Sequence, residues 1–67
     1  MNNHPWLGER VKKLREALGM TQEKFARLVG VTETTVCNWE KNRVHPYLTN
    51  AMRLEELEKS SPKRGKG

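Results

Sequence analysis

Sixty-seven residues make one domain at most, in the size range where a single hydrophobic core is marginal. Thirteen Lys and Arg stand against 8 acidic residues, all of them Glu, for a formal charge of +5, and so large an excess on so small a body favours a polyanionic partner. One cysteine, Cys37, excludes an internal disulfide, and Cys37, His4 and His45 are too scattered for zinc-ligand spacing, so no metal or other cofactor is expected.

The opening stretch MNNHPWLGER, whose first five residues read as an N-terminal arm, lacks the apolar run of a signal peptide. No stretch approaches membrane-spanning length, so the setting expected is cytoplasmic, without a membrane partner. The first helical pattern follows. Leu7, Val11, Leu14 and Leu18 recur at steps of four, three and four, one face of a helix over about residues 6–18. Pro5 suits its first turn and Gly19 its exit.

Thr21 is an N-cap for a second helix with Glu23 in its first turn and Phe25, Ala26 and Val29 inward. Val29, Gly30 and Val31 separate it from a third, and Gly30 can take the positive φ of an abrupt stop. Thr32 caps that third helix, which turns Val36 and Trp39 inward and shows Glu33, Thr34, Cys37, Asn38 and Lys41 on its other side. RVHPY is a turn, since Pro46 disfavours helix at His45. Leu48, Met52 and Leu57, with Ala51 and Leu54 nearby, predict a fourth helix over about 47–58, and residues 59–67 read as a basic disordered tail. The run SSPKRGKG supplies +3 of the +5, which weakens the charge argument for the folded body. The division expected is an arm (1–5), one all-α domain (6–58) and the tail.

Two helices joined by a three-residue turn with a central Gly match helix-turn-helix geometry. An ordinary helical hairpin would match it too, but its solvated face usually carries Glu/Lys pairs and strong helix formers. Here TETTVCN offers Thr and Asn instead, poor helix formers suited to base-edge hydrogen bonds and methyl contacts.

RVKKLREALGMTQEKFARLVGV, TETTVCNWEKN and HPYL together resemble the Cro and lambda-repressor type of helix-turn-helix, the XRE family, over about three quarters of the chain. The resemblance rests on Leu-Arg-Glu, Thr-Gln-Glu, the run Ala26 to Gly30 and the Trp-Glu pair at family spacing. It implies a compact lambda-repressor-like domain of four helices, or five, that binds double-stranded DNA and regulates transcription as a repressor, with no catalytic role.

The resemblance also implies roles for individual residues. Arg15 and Glu40 match a buried ion pair tying the first helix to the third. Gln22 matches the residue that opens the second helix, reaching a phosphate and bracing a residue of the third. Glu33, Thr34 and Asn38 match base-edge positions, with Cys37 on the same outward side; Glu33 could equally serve only to stabilise the start of its helix. Thr32, Lys41, Asn42 and Arg43 match backbone contacts. Asn42 stands where the family usually has Gly, and Asn is the next-best residue for a left-handed cap. Glu55, Glu56 and Glu58 suggest that the fourth helix faces away from DNA.

Many members of the family continue into a fifth helix that builds a two-fold dimer, whereas this sequence ends in SSPKRGKG. A homodimer on DNA is expected, through the fourth helix and the turn before it, or else a protein partner supplies avidity, with weak monomeric binding helped by the tail as a third alternative. Two other readings stay open: the antitoxin of a toxin–antitoxin pair, and a protein-interaction module on the same helical scaffold.

Overall fold

The computed structural model describes residues 6–60. The expected arm, Pro5 with it, and residues 61–67 of the expected tail lie outside them. Among the described residues four helices follow one another with no strand: α1 Gly8–Ala17, α2 Gln22–Val29, α3 Glu33–Glu40 and α4 Leu48–Ser60. The class is all-α, as the apolar periodicity predicts.

α1 starts two residues later than its pattern suggests. Leu7 is its N-cap, with extended backbone at ψ 161, so Trp6 and Leu7 point to opposite sides as neighbours in a strand do. The indole takes the inside, 3% exposed, and Leu7 the outside at 53%. Trp6 therefore replaces Leu7 beside Val11 and Leu14 in the core.

α2 and α3 are each capped by a threonine. The Thr21 oxygen accepts from the Lys24 N–H at 3.2 Å and the Thr32 oxygen from the Thr35 N–H at 3.1 Å, which satisfies donors that a helix start otherwise leaves open. Gly30 sits at φ +96, a conformation that costs a side-chain-bearing residue about 1 kcal/mol or more. The connection comprises Gly30, Val31 and Thr32, since Val29 is the last, buried residue of α2. Phe25, Val36 and Trp39 fill the space between the helices.

α4 differs most from its pattern. Leu48 and Met52 are 75% and 57% exposed, and the inward stripe is Ala51, Leu54 and Leu57, with only Leu54 fully buried. The helix also runs on through Lys59 and Ser60. An ion pair helps to select that stripe. The Arg10 guanidinium donates to both Glu58 oxygens, at 3.2 and 2.8 Å, and lies 3.7 Å above the Trp6 ring. Glu58 sits four residues past Leu54, on the same face. Hydrogen bonding to Glu58 outweighs burial and raises the Arg10 pKa.

Candidate nucleic-acid interface

α3 has one dry side and one wet side. Val36 and Trp39 are buried, whereas Thr32, Glu33, Thr34 and Lys41 are exposed. Cys37 and Asn38 are half-buried, and being 100° apart they flank the line through Thr34 and Lys41 on opposite sides. Glu33 falls on the Cys37 flank. The Asn38 flank borders an open groove between α3 and the start of α4, lined also by Thr35, His45, Tyr47 and Asn50 over a floor that includes Trp39.

A hydrogen-bonded hub at Glu40 fixes the orientation of α3. Arg15 Nε donates to Glu40 Oε2 at 2.7 Å and Nη2 to Oε1 at 3.3 Å, while Nη1 donates to the Met20 carbonyl at 3.0 Å. Only 15% and 8% of the two side chains is exposed, and the Glu40 hydrogen bonds raise the Arg15 pKa against the effect of burial. Gln22 Nε2 donates to the same Glu40 Oε1 at 3.1 Å. The hub thus ties α1, the first residue of α2 and the last turn of α3, and it engages one of the two Gln22 amide hydrogens. A paired and hydrogen-bonded buried charge of this kind sets geometry more than it adds net stability.

α3 ends in a left-handed turn. Asn42 lies at φ +62; its N–H donates to the Trp39 carbonyl and the Arg43 N–H to the Asn38 carbonyl, at 3.0 and 2.9 Å, the paired bonds of a Schellman stop. The Asn42 side chain is partly occupied, because its Oδ1 accepts from the Gly8 N–H at 2.8 Å. Lys41 and Arg43 stand exposed on either side of it.

The fold therefore brings Thr34, Asn38 and Lys41 onto one outward surface, with Thr32 and Glu33 at its N-terminal end and Arg43 at the other. It draws Gln22 toward Glu40 and Asn42 toward α1, and it leaves Cys37 on the flank away from the groove. The Thr32 hydroxyl is engaged as a cap and lies 2.8 Å from that of Thr35. His45, Tyr47 and Asn50 escape the sequence reading, which treats HPY as a turn and an α4 opening. The one signal for them was the polar–aromatic character of that stretch. Among the described residues no group of His, Cys or Glu could hold a metal, and no helix is long and apolar enough to cross a membrane.

Comparison with known proteins adds a family. The helix-turn-helix family profile matches residues 11–57, from mid-α1 into α4. A putative HTH-type transcriptional regulatory protein of Thermococcus gammatolerans is 42% identical over 50 residues, which are 75% of this chain and 16% of that protein. Repressor protein C2 of Salmonella phage P22 is 28% identical over 60 residues, 90% of this chain and 28% of the repressor. An uncharacterized HTH-type transcriptional regulator of Methanothermobacter thermautotrophicus is 43% identical over 44 residues, 66% of this chain and 64% of that protein. The chain thus spans less than a third of the first two proteins. No solved structure matches.

Proposed function

Because the chain belongs to the helix-turn-helix family of transcriptional regulators, we propose that it binds double-stranded DNA sequence-specifically through α3 and represses transcription by occupying an operator. The observation that carries this reading is the polarity of α3: its inner side is sealed and locked through Glu40, and its outer side holds Thr34, Asn38 and Lys41, whose side chains are not engaged by hydrogen bonds among the described residues. A helix is about 10–12 Å across and enters a major groove about 12 Å wide.

Within that groove Asn38 pairs with an adenine edge, Thr34 meets a thymine methyl, and Glu33 accepts from cytosine. Cys37 lies at the margin of the base-reading surface. Thr32, Gln22, Lys41, Asn42 and Arg43 hold the phosphates at the two ends and so set register.

Eight residues of α3 cover few base pairs, so two copies act across a palindrome. Their contact is the exposed apolar group Val44, Tyr47, Leu48 and Met52, from the segment after α3 and the first turns of α4. A patch of this make-up is on the order of 400 Å² per copy. Two of them bury less than the roughly 1,200 Å² at which stable interfaces begin, so pairing is completed on DNA.

The test is selection of bound sequences from a random duplex pool at near-physiological salt. An enriched palindrome supports both specific reading and the dimer, and its half-site spacing gives the separation of the two α3 helices. No enrichment, with binding lost at moderate salt, overturns the proposal in favour of a protein-interaction module. A single enriched half-site retains the reading and removes the dimer.

A further inference from the structure

The start of α1 has a cap that comes from the far end of the reading helix. Its N-cap residue, Leu7, offers no side-chain oxygen, and the first-turn N–H groups of a helix have no partner within it. The Gly8 N–H is satisfied by Asn42 Oδ1, 34 positions along the chain. Gly8 rests so closely on the last turn of α3 that an added Cβ would overlap the Glu40 carbonyl oxygen and stand 2.8 Å from that of Trp39.

We propose that Asn42 is a bridging residue: its carbonyl oxygen holds α1 while its amide N–H donates to a DNA phosphate. The packing of α1 and the grip on the backbone would then be one device, resting on the DNA-binding reading above. The amide oxygen is committed to Gly8, Asn42 is exposed as a residue like its neighbours Lys41 and Arg43, and the NH₂ group carries the donors that the oxygen lacks. Glycine tolerates the φ of +62 better but offers neither bond, and aspartate offers the acceptor without the donor. Asparagine combines both with tolerance of the left-handed conformation.

The variants Asn42→Gly and Asn42→Asp separate the two roles. In the free protein, hydrogen exchange at the Gly8 amide is expected to accelerate in Asn42→Gly, which removes the acceptor, and to stay slow in Asn42→Asp, which keeps it. Equal Gly8 exchange in wild type and Asn42→Gly overturns the cap. The phosphate half is read on the selected duplex, with single phosphates replaced by neutral methylphosphonates. At one position replacement should cost the wild type about tenfold in affinity and Asn42→Gly little, a coupling that a purely structural residue would not show. Uniform losses for both proteins at every position overturn it. Failure of the DNA reading itself looks different: the wild type then selects no duplex, which removes the phosphate half outright while the exchange result still judges the cap.

Discussion

The α2–α3 pair and α4 are built to different standards. Two helices of eight residues each carry a side-chain N-cap, a left-handed exit and a share of the buried Phe25, Val36 and Trp39, and the Glu40 hub ties both to α1. α4 is longer, with thirteen residues, yet buries only Leu54 completely and leaves apolar side chains in the open at its start. The first arrangement holds α3 by caps, core side chains and the hub together. The second holds α4 by one buried leucine, two half-buried neighbours and the Arg10–Glu58 pair, and keeps a surface in reserve. Rigidity is concentrated where bases would be read, and adaptability where a second copy would be met.

That contrast is broken most severely at the hub. Glu40→Ala strands the Arg15 guanidinium, and removing one partner of a buried pair costs about 3–5 kcal/mol, comparable to the whole stability of a domain this small. Thermal denaturation should show the variant largely unfolded at ambient temperature; a Tm within a few degrees of wild type would mean that α3 is held without the hub. Leu54→Ala tests the other region. It should cost about 2–4 kcal/mol, with hydrogen exchange rising first along α4 while the Val36 and Trp39 amides stay protected. Uniform acceleration would show that the two regions unfold as one.

Smaller effects sharpen the comparison on DNA. Asn38→Ala should lose about 1–3 kcal/mol at one base position, whereas Arg43→Ala should weaken all sequences alike and flatten the salt slope. If both variants gave the same sequence-independent loss, the base-reading role of Asn38 would be gone. The smallest change in stability is expected from Leu48→Ser with Met52→Ser, within about 0.5 kcal/mol because both side chains already face solvent. That pair should nonetheless abolish cooperative binding to a palindrome, measured as the ratio of affinities for full and half sites. An unchanged ratio would move the dimer contact elsewhere.

The two regions also differ in how far their sequence disclosed them. Around α2 and α3 the local signals agree with one another: threonine before each apolar run, Gly30 and Asn42 where the chain must turn left-handed, Val36 and Trp39 three apart. Local chemistry decides each of these, so it can be read from local sequence. α4 contains two overlapping apolar stripes, Leu48–Met52 and Ala51–Leu54–Leu57. Choosing between them depends on distant partners: the core that takes Leu54, and Arg10, 48 positions before the Glu58 it pairs with. Trp6 and Leu7 pose the same problem, because a shift of two residues in where α1 begins decides which of them is inside. At the candidate site the outward order of Thr34, Asn38 and Lys41 follows from helical spacing. The Asn42–Gly8 bond does not, since nothing near either residue points to the other.

One guanidinium touches both extremities of the described chain. Arg10 covers the Trp6 ring and grips Glu58, so the chain enters and leaves the domain at neighbouring points. Neighbouring entry and exit points are the geometry that lets a domain sit within a longer polypeptide with little strain on its interior.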